Sequence, residues 1–139
     1  MDASVHFLIV DDDPALRSLL RLVLGVDGRS RSIREAPDGM QALDVLRAST
    51  VPLIVLLDWQ MPWLDGGGVL RAVAAEPRIA MMHHFVLVTG TDMTAIDVAG
   101  DCEINTLLRD LQVPVIRKPF DLTTVFAVVD DIVADIIAR

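Results

Sequence analysis

Asp11, Asp12 and Asp13 follow directly on the apolar run Phe7-Leu-Ile-Val10, and Asp58 follows directly on the apolar run at 53–57. Thr89 and Gly90 come straight after residues 85–88, and Lys118 with Pro119 straight after 113–117. Carboxylates brought together repel one another and form a site for a hard cation. Mg²⁺ suits such a set, because it takes few protein oxygens and keeps water or phosphate oxygens as its other ligands. A carboxylate is also a nucleophile toward phosphorus and can form an aspartyl phosphate. Charge on the transferring phosphoryl oxygens then needs neutralising, which a metal and one lysine supply, while a threonine hydroxyl suits a single phosphoryl oxygen. Singly, each residue has a plainer role: Asp13 before Pro14 as a helix cap, Thr89-Gly90 as a turn, Lys118 as a solvated side chain. The set points to phosphoryl chemistry because its members arrive in order at the ends of separate apolar runs.

Those runs and the spacing between them predict the elements that must position the set. Residues 7–10 and 53–57 read as strands buried on both faces, since they are unbroken apolar. Residues 30–36 form a weaker strand, and 85–88 and 113–117 two more. Helices are expected at 14–25, 40–48, from about 69 to 75, and at 121–138, with Pro14 suited to a first turn and Gly25 to a stop. Pro62 and Gly66-Gly67-Gly68 read as a loop, and 91–112 as one or two short helices with a stripe of Ile104, Leu107, Leu108 and Leu111. Alternation of this kind predicts an α/β fold, a doubly wound five-stranded parallel sheet in a single domain over residues 1–139. In such a sheet ligands gather at the carboxyl ends of the strands, where the acids, Thr89 and Lys118 are placed.

Composition narrows the classes. The chain has 139 residues, 53 % of them hydrophobic, so it is long enough to bury a core and too apolar for disorder to be its main state. Its apolar runs are too short to span a bilayer, and no basic stretch precedes an apolar one at the N-terminus. A cytoplasmic protein is the expectation. The single cysteine, Cys102, excludes an internal disulfide framework. Twenty acidic against twelve basic residues give a net charge of −8, which predicts no direct nucleic-acid binding and favours a cation site or protein partners.

Five motifs now stand together: Leu8-Ile-Val-Asp-Asp-Asp-Pro14; Glu35-Ala-Pro-Asp-Gly39 with Ala42-Leu43; Leu57-Asp-Trp-Gln-Met-Pro62 with Leu64-Asp-Gly66; Val88-Thr89; and Arg117-Lys-Pro-Phe120. With them the chain resembles the receiver domain of two-component response regulators over nearly its whole length. The resemblance implies a flavodoxin-like sheet in the order 2-1-3-4-5 and a cis Lys118–Pro119 bond. It implies Asp58 as phosphoacceptor, Asp12, Asp58 and the backbone carbonyl of Gln60 as Mg²⁺ ligands, and Asp11 acting largely through water. Thr89 would hydrogen-bond the attached phosphoryl group and Lys118 would pair with it. The donor would be a sensor histidine kinase or a phosphotransfer protein, and the domain would promote only its own phosphorylation and dephosphorylation.

The chain also departs from that pattern. The position three residues before the lysine, usually aromatic, is Val115, and there is no tyrosine. The segment between Thr89 and Lys118 is longer than usual and lacks the common Gly-Ala, which points either to a specialised surface for a downstream partner over 90–117 or to a neutral loop insertion. The last helix carries Leu122, Val125, Phe126, Val129, Ile132, Val133, Ile136 and Ile137 as a broad core-facing stripe, with Val128 to its side. Homodimer contacts would use such width, but a packed core helix is the plainer explanation. Two rival functions follow: a receiver-like scaffold that is never phosphorylated, favoured by Val115, and a small aspartyl-phosphate phosphatase. Val10-Asp11-Asp12-Asp13 fits the phosphatase loosely, and Pro14 argues against it.

Overall fold

The computed structural model describes residues 5–25, 30–90 and 102–138. Strands β1 (Val5–Val10), β2 (Ser30–Ala36), β3 (Ile54–Leu57), β4 (His84–Thr89) and β5 (Val115–Arg117) form one parallel sheet in the order β2-β1-β3-β4-β5. Helices α1 (Pro14–Gly25), α2 (Gly39–Ala48), α3 (Gly66–Ala74), α4 (Pro77–Met82), α5 (Cys102–Asp110) and α6 (Leu122–Ala138) complete the described elements. The expected doubly wound sheet and its order are both found.

Successive side chains of a strand point to opposite faces, so a strand covered on both sides must be apolar at every position. Leu8, Val10, Val55, Leu57 and Leu87 share one core with Leu43 and Leu46 of α2 and Val69, Leu70 and Val73 of α3. Phe7, Ile9, Ile54, Leu56, Val86 and Val88 share the other with Leu20, Val23 and Leu24 of α1 and Val125, Val129 and Val133 of α6. Register aligns the strand ends: Val10 pairs with Leu57 and with Ala36, and Thr89 pairs with Arg117.

Several boundaries differ from expectation for identifiable reasons. β5 covers only Val115–Arg117, because Pro114 has no N–H and Gln112 takes a left-handed turn at φ 55. α4 was not anticipated: its six residues carry a single buried anchor, Ile79, too few to set a helical period, although Pro77 at its first turn is a readable start. On α6, Leu122 is 51 % exposed rather than core-facing, whereas Val128 packs partly against the core. Ile104 is fully buried in α5, Leu107 and Leu108 are half-buried there, and Leu111 just beyond it is half-buried too. Residues 91–101, the first half of the stretch assigned to a partner surface, lie outside the described residues.

The glycine triplet is the most consequential difference. It opens α3 instead of forming a loop, since the Asp65 side chain accepts the N–H of Gly68 at 2.7 Å and caps the first turn. A Cβ at Gly66 would lie 2.6 Å from the carbonyl oxygen of Asp58, so only glycine lets α3 seat against the Asp58 peptide. Gly66→Ala is therefore expected to lower stability by about 1–3 kcal/mol in urea unfolding. Helix propensity alone predicts the opposite sign, so a stabilised variant would refute the close seat.

His83 ties the end of α2 to the start of β3. Its Nδ1 accepts the N–H of Leu53 at 3.0 Å and its Nε2 donates to the carbonyl of Leu46 at 3.2 Å, a pairing that suits the neutral ring. Burial pushes its pKa below the ordinary 6.5. The unfolded chain thus takes up this proton first as pH falls, so the stabilisation is present above the unfolded pKa and lost below it. Unfolding midpoints are expected to drop as pH falls from the ordinary 6.5 through the lowered pKa of the folded state, and His83→Gln should flatten that part of the profile. An unchanged slope in the variant would assign the dependence elsewhere.

Candidate functional site

The carboxyl ends of β1, β3, β4 and β5 bring the sequence-predicted residues to one edge of the sheet. Asp11 is buried at the end of β1, its N–H donating to the carbonyl of Ala36 at 3.2 Å. Its Oδ1 accepts the N–H of Asp13 at 2.9 Å. Asp58, also buried, leaves β3 with its N–H on the carbonyl of Val10 at 2.9 Å. Asp12 is exposed, yet carboxylate oxygens of Asp11, Asp12 and Asp58 all lie within 4.8 Å of one another. That set of hard oxygens, one side open to solvent, fits a divalent cation that keeps several waters.

Lys118 reaches into the same cluster. Its Nζ is 3.3 Å from Oδ2 of Asp11 and 3.4 Å from Oδ1 of Asp58. The Lys118–Pro119 bond is cis, and the Lys118 N–H donates to the carbonyl of Thr89 at 2.9 Å. Thr89 itself is fully buried at the end of β4, the strand next to β3. Gln60 lies in the exposed loop two residues beyond Asp58. Asp13 keeps its plainer role: its Oδ1 accepts the N–H of Ala15 at 2.9 Å and caps α1.

The electrostatics favour a cation. Burial pushes the Asp58 carboxyl up from its ordinary pKa, and the Asp11 charge adds to this, while Lys118 and the Trp59 N–H oppose it. A cation would relieve the same repulsion and favour the ionised carboxylate.

Three features escaped sequence reading. Arg17 and Glu35 form an ion pair at 3.1 Å beside Asp11. Their signal was the strand order, which sets the end of β2 next to the end of β1. The Trp59 ring lies over Gly67 and near Ile104, since a Cβ on Gly67 would be 2.8 Å from Trp59 Cη2 and 3.2 Å from Ile104 Cδ1. Trp63 is 86 % exposed with φ 70, a left-handed conformation that is costly for a bulky side chain.

A doubly wound parallel sheet that presents three clustered carboxylates and an inserted lysine at its carboxyl edge defines a class: α/β domains with an acidic binding edge at the strand ends. Comparison with known proteins makes the class specific. The response regulator receiver domain family matches residues 7–130, and the chain belongs to that family. The response regulator MprA of Mycobacterium tuberculosis is 47 % identical over 68 residues, 49 % of this chain and 28 % of MprA. Protein-glutamate methylesterase/protein-glutamine glutaminase 5 of Myxococcus xanthus is 40 % identical over 81 residues, 56 % of this chain and 23 % of that protein. The chain thus spans about a quarter of the length of these curated relatives. Among solved structures, a CheY-like receiver domain protein from Methanospirillum hungatei matches with a TM-score of 0.76 and 25 % identity, covering 96 % of this chain and 98 % of that one. No helix among the described residues is long and apolar enough to cross a membrane.

Proposed function

We propose that this domain accepts a phosphoryl group on Asp58 from the phosphohistidine of a sensor histidine kinase or phosphotransfer protein. The observation that carries the reading is the position of Lys118 Nζ, 3.3 and 3.4 Å from two carboxylates that share a cation-sized cluster with a third. An Asp58 carboxylate oxygen forms the bond to phosphorus as the donor's N–P bond breaks. The departing imidazole nitrogen keeps the electron pair and takes a proton from solvent. Lys118 and Thr89 then hold phosphoryl oxygens by charge and hydrogen bond. Asp11, Asp12, Asp58 and the carbonyl of Gln60 would hold Mg²⁺, which supplies charge neutralisation at the phosphoryl oxygens.

On this reading the protein is a phosphorylated switch in the cytoplasm and promotes only its own loading and loss of phosphate. The phosphoryl group shifts a two-state equilibrium read by a downstream protein at the 90–117 surface. Val115 is 39 % exposed on β5, so the response there proceeds without an aromatic side chain at that position. The apolar α6 offers a contact for a second copy. Intact-mass measurement after incubation with acetyl phosphate and Mg²⁺ tests the core of the proposal. A gain of one phosphoryl group, abolished by chelator, is expected. No gain favours the unphosphorylated scaffold, and continuous turnover of acetyl phosphate would indicate a phosphatase.

A further inference from the structure

Asp11 is fixed through its N–H and through both carboxylate oxygens, which meet Ala36, Asp13 and Lys118. Its carbonyl oxygen has a partner too: Nη1 of Arg17 donates to it at 2.7 Å. That carbonyl belongs to the planar peptide joining Asp11 to Asp12, so holding it sets the direction in which the chain leaves toward Asp12. Asp12 is the exposed member of the carboxylate cluster, and its placement depends most on the backbone beneath it.

Arg17 is itself braced. Its Nε donates to Oε1 of Glu35 at 3.1 Å, and Nε of Arg21 donates to Oε2 of the same carboxylate at 2.8 Å. Nη2 of Arg21 continues to the carbonyl of Ile33 at 2.6 Å. Glu35 is anchored in β2 opposite Ile9 of β1. The hydrogen bond from Arg21, with that from Arg17, holds the Glu35 carboxyl below its ordinary pKa and keeps it charged. The Arg17 side chain is only 18 % exposed, so the fork is confined between α1 and the end of β2.

We propose that Arg17, braced by Glu35 and Arg21, is a positioning residue for the divalent cation. It orients the Asp11–Asp12 peptide so that the Asp12 carboxylate meets those of Asp11 and Asp58. This rests on the reading of that cluster as the cation site of a phosphoryl acceptor. The sign of the effect separates positioning from charge. A guanidinium near a cation site disfavours the cation, so if Arg17 acted only through its charge, removing it would tighten Mg²⁺ binding. If it acts by holding the Asp11 carbonyl, removing it loosens binding. Lysine keeps the charge but cannot serve the carbonyl and Glu35 with one rigid fork.

The test is Mg²⁺ titration calorimetry on the full chain for wild type, Arg17→Met and Arg17→Lys, with thermal unfolding of each without Mg²⁺. Arg17→Met is expected to bind Mg²⁺ about ten-fold more weakly, the usual scale for a group that orients a metal ligand. Arg17→Lys should fall between it and wild type. Acetyl phosphate labelling should be slowed at limiting Mg²⁺ and return to the wild-type rate at saturating Mg²⁺. Unchanged or tighter Mg²⁺ binding in Arg17→Met overturns the proposal, as does a loss confined to thermal stability. If Arg17→Met does not fold, Arg17→Lys decides by the same criterion, wild-type affinity overturning the proposal. Wild-type protein that fails to bind Mg²⁺ at millimolar concentration sinks the cation reading and the positioning role together. Normal wild-type binding with indifferent variants sinks only the latter.

Discussion

Asp58→Asn is expected to take up no phosphoryl group from acetyl phosphate and Mg²⁺ under conditions in which the wild type takes up one. Asparagine fills the same space but offers no anionic oxygen for attack on phosphorus. The second expected change is in cation binding. Removing one of three clustered carboxylates leaves fewer hard oxygens, and Mg²⁺ affinity should fall by about ten-fold or more. The third concerns stability and guards against misfolding as an explanation. Burial and the neighbouring Asp11 raise the Asp58 pKa, so the fold disfavours the ionised form. Its contribution to stability is present below the unfolded pKa and lost as pH rises through the folded one. At neutral pH without Mg²⁺ the asparagine variant should therefore unfold no earlier than wild type. A variant that still gains one phosphoryl group would place the acceptor elsewhere.

Lys118→Met is expected to move two measurements in opposite directions. The ammonium group lies 3.3 Å from Asp11 and 3.4 Å from Asp58. Without it three carboxylates face one another with less compensation, so the metal-free protein should lose stability and Mg²⁺ should bind more tightly. Labelling by acetyl phosphate should nonetheless slow by roughly 10²–10³-fold, the scale seen when one donor to a developing charge is removed. Methionine keeps most of the length of the aliphatic stem, so packing against the end of β5 is largely preserved. Calorimetry and labelling kinetics on one preparation read both effects. Weaker Mg²⁺ binding, or an undiminished rate at saturating Mg²⁺, would remove Lys118 from the role proposed for it.

The contrast between Asp58 and Arg17 marks how far a sequence can be read. Asp58 was legible because an acid directly after a fully apolar run is conspicuous, and because a parallel sheet sends every strand end to the same edge. The same reasoning found Asp11, Asp12, Thr89 and Lys118, and it read Asp13 correctly as a cap. Arg17 was not legible. It is one polar residue on a helix, and its meaning depends on lying beneath the Asp11 carbonyl and beside Glu35 of a neighbouring strand. Likewise Gly66 reads as part of a loop, because its backbone contact with Asp58 is invisible until α3 is seated.

Taken alone, the sequence determined the layers, the parallel sheet and the edge at which the acids, Thr89 and Lys118 gather. These follow from local regularities, the period of apolar residues and the side on which each strand ends, and local regularities survive without coordinates. Strand order and the role proposed for the acids, Thr89 and Lys118 came from resemblance to a family with the same motifs. Only the tertiary structure decided the distances from Lys118 to Asp11 and Asp58, the direction of the Asp58 pKa shift, the start of α3 at Gly66 and the brace through Arg17. Each of these depends on residues far apart in the chain approaching within a few ångströms, and such approaches are set by how the layers pack against one another.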